Sequence, residues 1–177
     1  AIAVLKGQSR MKLGYLMPLT VDNIVTARKL NYDALEANVG WMTGSGMAAL
    51  QKDLPVIKEA LARERISVTA IAIYGDAIAV TAEEAIAVYG RTMDLARELG
   101  CSVVAGMTGR DNLLAVDENL VLFEERFGPI AAMAADRGMR VAFEPWPGQV
   151  TGYGPYNWAN MAVSPWLYDR LFEAVPN

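Results

Sequence analysis

A helix-to-strand handover recurs along the chain, and it constrains the fold more than any other feature. Ala27-Arg28-Lys29-Leu30-Asn31 precedes the apolar stretch 32–39, and Ala62-Arg63-Glu64-Arg65 precedes 66–73. Ala96-Arg97-Glu98-Leu99-Gly100 precedes 101–105, and Ala135-Asp136-Arg137-Gly138 precedes 139–144. Each handover closes a helix with charge. Several carry Gly or Asn where the chain must turn left-handed. The repeat is about 35 residues long, the size of one strand–helix unit.

The helices between have their own marks. Thr81-Ala82-Glu83-Glu84 reads as a capping box, with Ile86, Tyr89, Met93, Ala96 and Leu99 following at helical spacing. Asp53-Leu54-Pro55 opens another helix with a cap and an early proline, and Leu54, Ile57 and Leu61 form its inner face. Ser164-Pro165 opens a third, followed by Leu167, Leu171 and Phe172. Gly128-Pro129 falls inside the long segment 116–137, where a kink or break is expected.

The order is therefore strand (12–17), helix, strand (34–39), helix, strand (67–73), helix, strand (102–106), helix, strand (140–144), loop, helix (165–174). Such alternation predicts a parallel sheet with right-handed crossovers. A doubly wound sheet usually carries a glycine-rich turn after its first strand. Here that turn is Met17-Pro18-Leu19-Thr20. Polar or small groups recur instead at strand ends: Glu36, Gly75-Asp76, Gly106-Met107-Thr108 and Glu144. The expected fold is an α/β, TIM-type parallel (β/α) barrel that is incomplete, with about five strand–helix units over 11–177. A whole barrel takes eight units and roughly 250 residues. Five strands leave two open edges. A loop covering an edge, association of two chains, or membership of a longer protein would each answer that. Residues 1–10 read as a cloning remnant or a natural extension.

Composition narrows the function classes. Apolar residues make up 53% of the chain, which suits a sheet buried on both faces or a surface hidden against a partner copy, so a homo-oligomer is expected. The net charge of −4 leaves no basic stripe to neutralise phosphates, so no nucleic-acid partner is expected. No apolar run approaches a membrane span, and no membrane partner is expected. The single cysteine, Cys101, fits a reducing, cytoplasmic compartment and reads as a buried, inert thiol.

Two carboxylates interrupt apolar strands. Glu144 ends a Val-Ala-Phe run, and burying it is costly unless it is paired or bound to metal. Glu36 sits within Tyr32–Val39, where alternation can point it inward or leave it bonded near the rim. Trp146 follows between Pro145 and Pro147, with Tyr153, Tyr156 and Trp158 beyond. These rings suit stacking on a sugar or fastening a loop over the mouth. Arg110, in Thr108-Gly109-Arg110-Asp111, can meet an anionic substrate, although a solvated loop residue is the simpler reading.

The segment Arg140-Val141-Ala142-Phe143-Glu144-Pro145-Trp146-Pro147-Gly148, the start Met11-Lys12-Leu13-Gly14-Tyr15-Leu16 and the strand Ala34-Leu35-Glu36-Ala37-Asn38 resemble the sugar phosphate isomerase/epimerase family of xylose-isomerase-like TIM barrels. The resemblance covers the first five units of that fold, from Met11 to Asn177. It implies a divalent metal (Mn, Mg, Co or Zn) at the barrel mouth and a small sugar or keto-acid substrate. The family's ligands follow strands five to eight: Glu, Asp, His and Glu. Only the first has a counterpart here, Glu144, as metal ligand and catalytic carboxylate. The resemblance also places Glu36 and Trp146 near substrate. The chain contains no histidine, so it lacks most of the expected ligand set.

Overall fold

A computed structural model describes residues 11–41, 45–148 and 159–176. The extension 1–10 and the stretch containing Gly152, Tyr153, Gly154, Tyr156 and Trp158 lie outside the described residues. The elements run β1 (Gly14–Pro18), α1 (Val21–Lys29), β2 (Ala34–Trp41), α2 (Ser45–Lys52), α3 (Leu54–Glu64), β3 (Ser67–Tyr74) and α4 (Ala82–Glu98). They continue with β4 (Val103–Gly106), α5 (Val116–Asp136), β5 (Arg140–Phe143) and α6 (Pro165–Ala174). The strands are parallel and lie in the sheet in chain order, β1-β2-β3-β4-β5. A doubly wound sheet would reverse direction partway across. Sequential order is that of a (β/α) barrel, here five consecutive units of one.

All four handovers share one geometry. Asn31, Arg65, Gly100 and Gly138 have φ of 62°, 54°, 76° and 63°. In each, the left-handed residue's N–H donates to the carbonyl three residues back, as in Asn31 to Arg28 (3.1 Å) and Gly138 to Ala135 (3.0 Å). The next N–H donates five residues back: Tyr32 to Ala27, Ile66 to Leu61, Cys101 to Ala96 and Met139 to Ala134, at 2.8–3.1 Å. These are Schellman closures, which satisfy the last helical carbonyls and turn the chain toward the sheet. The residue after each turn packs inward. Ile66, Cys101 and Met139 are equivalent and all buried. Cys101 therefore holds a packing position, and burial pushes its thiol up from its ordinary value.

The helices bury the faces their spacing predicts. Leu54, Ile57 and Leu61 are buried on α3, as are Tyr89, Met93 and Ala96 on α4. Thr81 caps α4 by accepting from Glu84 N–H at 3.2 Å, whereas Asp53 makes no side-chain cap for α3. Two expectations need correction. A separate helix, α2, occupies the second crossover, where one helix was expected. The Gly128-Pro129 pair does not break α5, which runs through it. Pro129 lies on the exposed side, while Phe127 and Ile130 beside it are buried. Phe123 stacks on Phe127 (4.7 Å), and Phe143 of β5 meets Phe127 edge-on (5.1 Å). That aromatic cluster holds the helix against the sheet across the missing backbone bond.

Arg65 is exposed, and it occupies a conformation that costs an L-residue about 1–2 kcal/mol. Arg65→Gly is expected to stabilise the protein by about 0.5–1 kcal/mol, read as a higher urea midpoint at unchanged slope. A lower midpoint would show that the Arg65 side chain contributes more than its backbone costs.

Candidate functional site

Glu144 follows β5 directly and extends its ladder, its N–H donating to Gly106 O at 2.8 Å. Phe143 and Ile73 pack into the layer beneath the helices. Strand alternation turns Glu144 and Tyr74 to the opposite face. Glu36 faces the same way, because its neighbours Leu35 and Ala37 are fully buried under helices. It is the third residue of an eight-residue strand, not a strand-end group as its apolar run suggested. A register row crosses the whole sheet through Pro18, Asn38, Ala72, Ala105 and Ala142. Three of these five are alanine, so the two carboxylates stand over a floor of small side chains.

The electrostatics tie Glu36, Tyr74 and Glu144 together. Desolvation raises the Glu36 carboxyl above its ordinary value, and the Glu144 charge raises it further. The Tyr74 hydroxyl is likewise raised, first by burial, then by its hydrogen bond to Glu144, then by the two carboxylates. It stays a neutral donor across the ordinary pH range. Glu144 Oε2 is buried and has no hydrogen-bond partner in the structure. A buried carboxylate oxygen left unmet is costly, and it suits a cation arriving from outside the chain.

The rim around this cluster is tightly built. The Asp76 carboxylate accepts from the N–H groups of Ile78 (2.9 Å) and Ala79 (3.1 Å), and burial raises it. Arg110 is only 3% exposed, which removes the reading of a solvated loop residue. Gly106 has no room for a side chain, since a Cβ there would lie 2.6 Å from Ile73 O. The Tyr168 hydroxyl donates to Phe143 O at 2.9 Å, anchoring α6 beside the strand end. Trp146 sits on the rim and is 50% exposed.

The structure thus brings Glu144 and Glu36 together, whereas Trp146, two residues past Glu144, is half exposed. Sequence reasoning missed Tyr74, whose signal was its place at a strand end, and Asn160, which had none. A hard divalent cation would suit the donors present, carboxylate oxygens foremost. Among the described residues, however, no group of three or more His, Cys, Asp or Glu could hold a metal. Among the described residues, no helix is long and apolar enough to cross a membrane.

Five parallel strands in chain order, alternating with helices, define a partial (β/α) barrel of the TIM class. The sequence pattern of the xylose isomerase-like TIM barrel family matches residues 24–177, and the chain belongs to that family. No curated protein matches it in sequence. Among solved structures it is similar to the probable 3-DHS dehydratase AsbF of Bacillus anthracis, at 15% identity and a TM-score of 0.71, covering 94% of this chain and 60% of that one. It is also similar to a D-allulose 3-epimerase from Methylomonas sp., at 15% identity and a TM-score of 0.69, covering 95% and 60%. A xylose isomerase-like TIM barrel protein of Mycobacterium smegmatis, solved in complex with magnesium, matches at 18% identity and a TM-score of 0.53, covering 70% and 45%. The chain thus spans about 60% of the length of the first two structures.

A carboxyl raised by burial and a like charge weakens the fold when ionised. That cost is present at pH 7 and fades as pH falls through the raised value of Glu36 toward its ordinary one. Glu144→Gln removes the like charge. The expected result is a lower Glu36 titration midpoint by NMR and a higher thermal midpoint at pH 7, with a smaller gain at pH 4. An unmoved Glu36 midpoint would show that the two carboxylates do not interact.

Proposed function

We propose that these residues form the first five units of a metal-dependent sugar or sugar-phosphate isomerase or epimerase, inactive by themselves. The observation that carries this reading is the buried, partnerless oxygen of Glu144 at the carboxyl end of β5. Glu144 would be the first ligand of a divalent cation, and further ligands would come from strands beyond the five described. The cation would polarise a substrate carbonyl or hydroxyl when bound. Glu36, whose carboxyl is raised by burial and by the Glu144 charge, suits proton exchange with a substrate hydroxyl. Tyr74 offers a neutral donor beside it, and Trp146 a ring at the rim for a sugar face. The substrate class is a small sugar, keto-sugar or keto-acid, and the site lies on the strand face that such barrels use.

Exposed apolar surface favours a second reading. Met11 and Leu13, just before β1, and Tyr15 within it are exposed, and an apolar groove of about 640 Å³ runs beside β5, lined by Phe127, Met139, Val141, Leu171 and Phe172. Two chains could cover these open edges mutually, making a self-associating domain without catalysis. A monomeric mass by sedimentation at high concentration would remove that reading.

The enzymatic reading is tested by assaying ketose epimerisation and isomerisation with Mn²⁺ or Mg²⁺. The isolated 177-residue chain is expected to show no turnover. A polypeptide carrying the remaining units should turn over, lose activity with EDTA, and lose about a hundredfold or more in Glu144→Gln. Metal-dependent turnover by the isolated chain, or an active Glu144→Gln protein, would overturn it.

A further inference from the structure

We infer that Asn160 is a positioning residue, whose buried amide locks the exit of β5 to the exit of β4 and thereby sets the Glu144 carboxylate for a divalent cation. The inference rests on the role proposed for Glu144, but its geometry stands independently. After β5 the chain reads Pro145-Trp146-Pro147, and neither proline has an N–H to give. This stretch presents carbonyls that need donors from elsewhere. Residues 159 and 160 supply them. Asn160 Nδ2 donates to Glu144 O at 2.8 Å and to Trp146 O at 2.7 Å. Ala159 N–H donates to Pro147 O at 2.8 Å.

The other end of the same amide holds β4. Asn160 Oδ1 accepts from Thr108 N–H at 3.1 Å and from the Thr108 hydroxyl at 2.6 Å. Thr108 Oγ1 in turn accepts from Met161 N–H at 2.9 Å. Asn160 and Thr108 are both fully buried. The partners fix which way the amide points, because a flip would set its NH₂ against the Thr108 N–H and its oxygen against two carbonyls. One side chain, 52 residues from Thr108 in sequence, thus joins the β4 exit to the β5 exit, where Glu144 stands. The bonds to Thr108 are buried, where they are hard to replace with water. Groups that orient a ligand in this way typically set metal affinity by about 10- to 100-fold.

The test compares Asn160→Asp, Thr108→Val and Thr108→Ser with the unaltered full protein. Asn160→Asp keeps the acceptor for Thr108 but turns an oxygen toward the Glu144 and Trp146 carbonyls. Thr108→Val keeps the volume and removes the hydroxyl, which covers the case in which the buried aspartate prevents folding. Mn²⁺ binding is read by calorimetry and amide exchange by mass spectrometry, well below each variant's thermal midpoint. The expected result is Mn²⁺ binding weakened about 10- to 100-fold in the first two variants and restored in Thr108→Ser. Unweakened binding in both would overturn the inference. If the unaltered protein binds no Mn²⁺, the metal role of Glu144 falls, and exchange decides the lock alone. Protection lost together at 106–110 and 144–148 supports it, and unchanged protection overturns it.

Discussion

Every return from helix to strand passes through one residue in the left-handed region, and the register of the sheet depends on those turns. A Schellman closure satisfies the last carbonyls of a helix while reversing the chain over two or three residues. Repeated at Asn31, Arg65, Gly100 and Gly138, it leads each chain segment into its strand and packs the residue that follows inward, Tyr32 in part and Ile66, Cys101 and Met139 fully. The strand then pairs in parallel with its predecessor, and the apolar side of the next helix covers it. Without these turns the alternation of strand and helix would fix composition but not order. With them, chain order becomes sheet order, and the carboxyl ends of the strands collect on one rim.

That rim is where the fold accepts unfavourable terms. The face opposite the helices carries alanine at positions 72, 105 and 142, which leaves space where a folding optimum would place larger side chains. On that face stand Glu36 and Glu144, whose charge makes ionising Glu36 costlier, and Tyr74 beside them. A chain selected for stability alone would place apolar residues there. The compensation sits just outside: the aromatic cluster of Phe123, Phe127 and Phe143 under β5, the Tyr168 bond to Phe143 O, and the amide of Asn160.

What the sequence made legible follows from how local each signal is. The handovers, the caps at Thr81 and Ser164 and the inner faces of α3 and α4 are set by residues a few positions apart, and pattern reading finds them. Glu36 and Glu144 were visible because a carboxylate inside an apolar run is a conspicuous anomaly. Helix α2 was missed because glycines precede it and only Met47 and Leu50 mark its buried side. Tyr74 and Asn160 were missed for a different reason. An aromatic ending a strand and an asparagine in a loop are ordinary until their partners are known, and those partners lie on other strands.

The contrast between Glu144 and Asn160 shows how this site is divided. Glu144 has one oxygen buried with nothing to meet it, whereas both ends of the Asn160 amide are used. A group satisfied within the chain can only hold its neighbours in place, and a group left unsatisfied at a shared rim is available to a ligand. The two are joined through the Glu144 carbonyl, so the rigidity of one governs the aim of the other. The prolines at 145 and 147 strengthen that coupling. They lack the N–H groups with which the segment could bond itself, and residues 159 and 160 supply donors to the carbonyls of Glu144, Trp146 and Pro147.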